Sequence, residues 1–79
     1  MVNVLLFAGL AEKLGQQKLV LDTERKSVSE LLTLLTERYP QIETDLDHVM
    51  IAVNEEFVSK DTIVHSHDTV ALIPPVSGG

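Results

Sequence analysis

A chain of 79 residues suffices for one small domain, and with 44% hydrophobic but only 4% aromatic residues its core must be aliphatic. The formal net charge of −6 disfavours nucleic-acid binding and suits partners with basic docking surfaces. The absence of cysteine excludes disulfides, thiolate metal sites and a cysteine nucleophile. With no bilayer-spanning apolar stretch and no recognisable signal sequence, we expect a cytoplasmic protein that does not bind membranes.

The first third of the chain predicts two strands joined by a short helix. Residues 2–8 are rich in β-branched and large apolar residues and predict a strand. The segment 9–15 has room for one or two helical turns, and Gly15 is placed to end them. Residues 17–22 predict a second strand, so the connection between the two strands is loose and partly helical.

The main helix is predicted to begin after Ser27. Ser27 and Glu30 have the spacing of a capping box, in which the serine oxygen accepts a backbone N–H and the glutamate reaches back. Pro40 ends the helix, because it lacks an N–H and disfavours helical geometry in the preceding residue. Between them the apolar residues recur at helical spacing and form one core-facing stripe: Val28, Leu31, Leu32, Leu35 and Tyr39.

The second half of the chain predicts three more strands. Residues 48–53 are apolar enough to be buried on both faces and therefore central. A turn at 54–56 leads to a short edge strand at 57–58. A polar connection then leads to the last strand at 69–73, which a double proline ends. Two apolar residues are predicted to anchor the polar segment 41–47 to the core: Ile42 and Leu46.

The predicted order is strand, strand, helix, strand, short strand, strand. One helix across one mixed sheet is a two-layer α+β domain. The order matches the ubiquitin-like β-grasp architecture, in which the first and last strands are parallel neighbours. We expect residues 1–75 to form this domain and residues 76–79 to form an extended C-terminal tail.

The C-terminal sequence PPVSGG predicts a thin, extended thread. The prolines favour extended geometry, and Gly78 and Gly79 have no side chains, so a narrow channel can admit them. The terminal carboxylate, with a pKa of about 3.5, is ionised at neutral pH. An ATP-dependent partner could convert it to an acyl-adenylate, and a sulfur donor would then give a thiocarboxylate. The alternative interpretation is an inert, frayed terminus.

The chain resembles the small subunit family of molybdopterin synthase, a group of ubiquitin-like sulfur carriers. The resemblance covers nearly the whole chain, and the PPVSGG ending is its most specific part. The residues that carry it are the following: Val4-Leu5-Leu6-Phe7-Ala8, Ala52-Val53-Asn54, Val58 and Val70 to Gly79.

The resemblance implies that Gly79 is adenylated by an E1-like adenylyltransferase and converted to a thiocarboxylate. Sulfur then passes to cyclic pyranopterin monophosphate inside the large subunit of a heterotetrameric synthase. The chain would be a protein cosubstrate without catalytic side chains, and the catalytic residues would lie on the large subunit. We expect no cofactor in this chain, which has no phosphate-binding glycine loop, so a partner must handle ATP.

The resemblance also implies an apolar docking patch near the tail. Phe7 and Ile73 could equally be core residues, whereas Phe57 follows an acidic turn on a short strand and is expected to be exposed. The predicted partner interface is Phe7, Phe57, Ile73 and Pro74. The predicted channel segment is Pro75, Val76, Ser77 and Gly78.

The chain departs from the family pattern in two places. One affects the geometry of the turn before the last strand, and the other affects a charged contact with a partner. The segment 65–68 (HSHD) lacks the glycine that many members have in this turn. Lys13 is a candidate replacement for an arginine that many members carry in the first helix.

Two other clusters are interpreted as solvated surface. The histidines His65, His67 and His48 lack the carboxylate or cysteine set of a typical metal site. The adjacent carboxylates Glu55 and Glu56 have the pattern of a solvated turn rather than of an acid–base pair.

Two other functions remain open at this stage. One is a sulfur carrier for thiazole, cysteine or tRNA thiolation pathways, which an assay with each acceptor would distinguish. The other is a non-catalytic β-grasp interaction module with an inert tail. One residue added after Gly79 would abolish activity of the carrier and leave binding by the module intact.

Overall fold

The computed structural model describes residues 1–75 and consists of one five-stranded sheet, a two-stranded sheet and three α-helices. The strands are β1 (Val2–Leu6), β2 (Lys18–Leu21), β3 (Lys26–Ser27), β4 (Met50–Val53), β5 (Glu56–Phe57), β6 (Ile63–Val64) and β7 (Thr69–Ile73). The helices are α1 (Ala8–Leu14), α2 (Val28–Arg38) and α3 (Glu43–Leu46), with a 3₁₀ turn at Pro40–Ile42.

The five-stranded sheet has the order β2-β1-β7-β4-β5. The first and last strands, β1 and β7, are parallel, whereas β1–β2, β4–β7 and β4–β5 are antiparallel pairs. The prediction that the first and last strands are parallel neighbours is therefore confirmed, and with it the α+β, β-grasp class.

The core lies between α2 and one face of the sheet, called here the inner face. The sheet residues alternate between buried and partly exposed, as a sheet covered on one side requires. Every buried core side chain is aliphatic, as the composition predicts. The largest of the fully buried side chains are Leu10, Leu21, Leu31, Leu35, Ile42 and Leu72.

The capping box predicted at the start of α2 is present. The Glu30 backbone N–H donates to Ser27 Oγ at 3.1 Å, and the Ser27 N–H donates to Glu30 Oε1 at 2.9 Å. The Ser27 backbone N–H, followed by the Ser27 side chain, lowers the pKa of the Glu30 carboxyl by hydrogen bonding to its charged form. The helix ends at Arg38, because Tyr39 leaves helical geometry ahead of Pro40.

The first helix ends where the sequence predicts. Gly15 has φ +65°, a left-handed conformation that an L side chain rarely adopts. Its N–H donates back to the Glu12 carbonyl at 3.3 Å. The reversal allows β2 to return antiparallel to β1.

The structure differs from the predictions in three places. The polar segment after Pro40 forms a 3₁₀ turn and α3, which bury the predicted anchors Ile42 and Leu46. The connection before the last strand contains β6, which pairs with β3. Strand β4 is not buried on both faces, because no element of residues 1–75 covers the outer face of the sheet, where Met50 is 46% exposed.

Candidate partner-binding face at the tail end of the sheet

The two parallel strands determine where the tail leaves the domain. Strands β1 and β7 run side by side, with Leu6 opposite Leu72, so both finish at the same end of the sheet. We call this the tail end, because Ile73 leads there into Pro74 and Pro75. Pro74 is half-buried and Pro75 is exposed. The predicted tail residues Val76, Ser77, Gly78 and Gly79 lie outside the described residues.

The outer face of the sheet carries an apolar row toward this end. Successive strand registers pair Leu5 with Ala71, Ala71 with Ala52, and Ala52 with Phe57. Partners in register project to the same face, so these side chains form a continuous row across four strands. Lys18 of β2, opposite Leu5, ends the row with a positive charge.

Three large apolar side chains on this face are exposed. Phe57 is 70% exposed, Met50 46% and Phe7 45%. Ile73 is half-buried and pairs with Met50, one position closer to the tail than the row. Exposed apolar side chains grouped on one face are typical of partner-binding surfaces, so this patch is a candidate site.

The fold places Phe7 and Ile73 side by side but leaves Phe57 farther away. Phe7 keeps an extended backbone (φ −126°, ψ 155°), so it continues the outer-face side of β1 beside Ile73. Neither residue belongs to the buried core cluster. The predicted exposure of Phe57 is confirmed. Phe57 lies on the edge strand β5, and two strands, β7 and β4, lie between it and β1, which leads into Phe7.

Sequence reasoning missed Met50 as a surface residue. The run HVMIAV reads as apolar throughout, so periodicity does not reveal its outer face. The signal was the alternation within it, because Met50 and Ala52 share one side of the strand and Ile51 faces the core.

A groove opens beside Phe7, between α1 and the start of β2. Its volume is about 420 Å³, and Leu5 and Phe7 form the wall shared with the apolar row. Ala8 has φ +49°, a left-handed turn that redirects the chain from β1 into α1. The other lining residues are Leu6, Ala11, Gln17 and Lys18.

The opposite end of the sheet, called here the turn end, is stabilised by side-chain hydrogen bonds. Asp68 accepts from the His65 backbone N–H at 2.8 Å and from Asn54 Nδ2 at 3.0 Å. Asn54 Oδ1 in turn accepts from the Thr69 N–H at 3.0 Å. The bond from the His65 N–H, followed by the bond from Asn54, lowers the pKa of the Asp68 carboxyl.

The turn at 65–68 lacks the glycine that many family members have, yet its backbone adopts the left-handed conformation that glycine favours. His67 has φ +74°, and its N–H donates to the Met1 carbonyl at 2.6 Å. A histidine therefore occupies a left-handed position in this turn. Lys13 is engaged within the chain, where its Nζ forms an ion pair with Asp45 at 2.7 Å.

The other sequence candidates do not assemble into a site in the described part of the chain. No three histidine, aspartate or glutamate side chains within residues 1–75 lie close enough to hold a metal. Glu55 and Glu56 are exposed in the turn and at the start of β5. No helix in residues 1–75 is long and apolar enough to cross a membrane.

One helix across a mixed sheet, a parallel pair of terminal strands and an apolar outer face define a ubiquitin-like β-grasp domain. The ThiS family profile matches residues 4–79, and this chain belongs to that family. The family resemblance inferred from the sequence is therefore confirmed.

Relatives agree in length as well as in sequence. The molybdopterin synthase sulfur carrier subunit of Dictyostelium discoideum is 38% identical over 81 residues, covering 98% of this chain and 94% of that protein. The subunit of the same name in Arabidopsis thaliana is 37% identical and covers 99% and 82%. The crystal structure of SAMP1 from Haloferax volcanii has a TM-score of 0.84 at 30% identity, covering 99% and 98%.

Proposed function

We propose that this chain is the sulfur carrier subunit of a molybdopterin synthase in molybdenum cofactor biosynthesis. Family membership and the names of the relatives support this function. The structural observation that carries it is the coincidence of two features at one end of the sheet. The exposed Phe7 of the outer face and the end of β7, which leads into Pro74 and Pro75, both lie at the tail end.

The chemistry is that of the terminal carboxylate of Gly79. An E1-like adenylyltransferase joins a carboxylate oxygen to the α-phosphorus of ATP and releases pyrophosphate. A sulfur donor then attacks the acyl carbon and displaces AMP, which leaves a thiocarboxylate. Inside the large subunit this sulfur passes to cyclic pyranopterin monophosphate, and the carboxylate is regenerated.

The domain's part in this reaction is binding and delivery. We assign the partner contact to Phe7, Phe57 and Ile73 on the outer face, because burial of exposed aliphatic and aromatic area drives association. The chain from Pro74 onward is rigid in φ at its two prolines, which lowers the entropy lost when a channel receives the tail. In this proposal residues 1–75 form the docking domain, and residues 76–79 form the segment inside the partner. Pro74 belongs to the partner interface, and the channel contacts are Pro75, Val76, Ser77 and Gly78.

A mass measurement tests the chemistry directly. We expect incubation with an E1-like enzyme, ATP and a sulfur source to raise the intact mass by the difference between sulfur and oxygen, located at Gly79. A variant with one alanine added after Gly79 should show no mass change, because its terminal carboxylate is one residue beyond the site of activation. Its melting temperature should equal that of the wild type.

The transfer step is tested with the charged carrier and the large subunit. We expect molybdopterin to form from cyclic pyranopterin monophosphate in proportion to the thiocarboxylate supplied. An unchanged mass with a demonstrably active enzyme would reject the carrier and favour a binding module. A charged carrier that serves only a thiazole, cysteine or tRNA acceptor would reject the molybdopterin assignment.

A further inference from the structure

We propose that the groove between α1 and β2 receives an apolar side chain of the large subunit, next to a carboxylate that pairs with Lys18. This inference rests on the proposed function, because it takes the large subunit as the occupant. It adds a second anchoring point to the apolar face and assigns the chemistry of the segment that fills it.

The position of the groove connects it to the candidate face. Leu5 and Phe7 line the groove and also belong to the outer face, so one surface continues from the edge strand β5 to the flank of α1. The groove lies at the tail end, since β2 begins where β1 finishes. A partner that holds the tail is therefore within reach of it.

The size and lining of the groove suit a side chain rather than water alone. Ala8 and Ala11 present only methyl groups, and this leaves a depression of about 420 Å³ beside the Phe7 ring. Methyl groups and an aromatic ring offer no hydrogen bonds, so an aliphatic or aromatic occupant gains most by displacing solvent. An aliphatic or aromatic side chain that fills such a depression is the kind of anchor that dominates interface energies.

The charge at the mouth of the groove specifies the polar neighbour. Lys18 is exposed, and the one ion pair within residues 1–75 joins Lys13 and Asp45, so Lys18 is in none there. At the other end of the apolar row, the exposed Glu55 lies in the turn just before β5, the strand that carries Phe57. The face therefore has a positive end and a negative end. A partner docks favourably in one orientation, with its carboxylate at Lys18 and its cations near β5.

Because the chain as a whole is acidic, the positive charge of Lys18 gives information about which partner surfaces can bind here. An acidic protein with a formal charge of −6 selects basic partner surfaces in general. A uniformly basic surface would be repelled at Lys18. A carboxylate placed at that point removes the repulsion and distinguishes the cognate large subunit from other basic proteins.

Two substitutions test the inference by binding kinetics with the cognate large subunit. Lys18→Glu should lower the association rate constant about 10-fold at low ionic strength, with the difference shrinking as salt is raised. Arg25→Glu is the matched control, because it makes the same charge change in an exposed loop beyond the opposite end of β2. It should lower the rate less than about twofold.

The second substitution fills the groove. Ala11→Leu should raise the dissociation rate constant about 10-fold or more, because the new side chain takes the place of the partner's anchor. Gly9→Leu introduces the same side chain on the other side of α1, where a Cβ meets no atom within 4 Å, and should bind as the wild type does. Both leucine variants should accept sulfur at Gly79 as the wild type does.

Each outcome decides the question. Equal rates for Lys18→Glu and Arg25→Glu, together with unchanged dissociation of Ala11→Leu, would overturn the inference and leave the proposed function intact. Self-association of the wild type that Ala11→Leu abolishes would overturn it too, by identifying a second copy as the occupant. A wild-type protein that accepts sulfur but binds no large subunit would reject the synthase assignment and this inference with it.

Discussion

The two ends of the sheet use their surface residues in opposite ways. At the turn end, Asn54 and Asp68 connect the β4–β5 turn to the loop before β7 through side-chain hydrogen bonds. At the tail end, Phe7 and Ile73 lie on a face that no other element of residues 1–75 covers. The first end holds the domain together, whereas the second leaves apolar area available.

We expect stability and partner binding to be separable in this small fold. The hydrogen bonds of Asn54 and Asp68 at the turn end hold the start of β7 in place and involve none of the exposed apolar side chains of the outer face. Apolar side chains at the tail end contribute less to the core, since one side of each remains in solvent. Substitutions at the two ends should therefore change different measurements.

The largest effect is expected from Phe57→Ser. Phe57 is 70% exposed, so its loss should change the free energy of unfolding by less than about 1 kcal/mol. Affinity for the large subunit should fall by about 30-fold or more, because exposed aromatic residues are frequent anchors of interfaces. Titration calorimetry gives the affinity, and thermal unfolding gives the stability.

The control for this substitution is Val20→Ser. Val20 is 52% exposed on the same outer face, but it pairs with Asn3 near the turn end. It should leave the affinity nearly unchanged. Equal losses of affinity for the two variants would show that the tail end is not a distinct binding region.

An intermediate effect, on stability alone, is expected from Asp68→Asn. The substitution removes the charge that strengthens two hydrogen bonds and should cost about 1 to 2 kcal/mol at pH 7. The pKa of Asp68 is lowered in the folded protein, so its contribution is present above the unfolded pKa of about 3.9. That contribution is lost as the pH falls through the folded pKa.

Urea unfolding at several pH values measures this dependence. The difference between wild type and Asp68→Asn should be constant above about pH 5 and shrink below about pH 4. The matched substitution Asp22→Asn, at an exposed position after β2, should change stability little. A difference that grows in acid would contradict the assigned role of Asp68, and weaker partner binding would contradict the separation of the two ends.

The smallest effect is a gain in stability from His67→Gly. The left-handed backbone at φ +74° costs a histidine about 1 kcal/mol, and glycine avoids this cost while losing more entropy on folding. The net stabilisation should be about 0.5 kcal/mol, measured as a higher urea midpoint. His65→Gly, at a position without positive φ, should instead destabilise the domain.

Local signals in the sequence predicted much of the fold. The Ser27–Glu30 spacing located the start of α2, and Gly15 located the end of α1. Both work because a cap and a left-handed glycine act within one turn of the chain. The order of the predicted elements then led to the parallel pairing of β1 and β7.

Features that depend on distant contacts escaped the sequence. Ile63 and Val64 form a strand only because Lys26 and Ser27 pair with them. Met50 is exposed because no layer in the described part of the chain covers the outer face. The contact of Asp68 with Asn54 joins two turns that no short pattern connects. The sequence predicted which residues belong to the candidate interface. It could not predict the groove beside Phe7 or the position of the Lys18 charge on the outer face, because both depend on how the strands pair.

The central place of β7 has a consequence for synthesis of the protein. This strand is the third of five, and it pairs with the first strand on one side and with β4 on the other. A ribosome delivers it after every other strand, so the nascent chain cannot close its sheet until Ile73 has emerged. A prematurely terminated chain lacks the middle of the sheet and exposes its core to proteases. A chain that reaches the folded state has therefore been translated at least through Ile73.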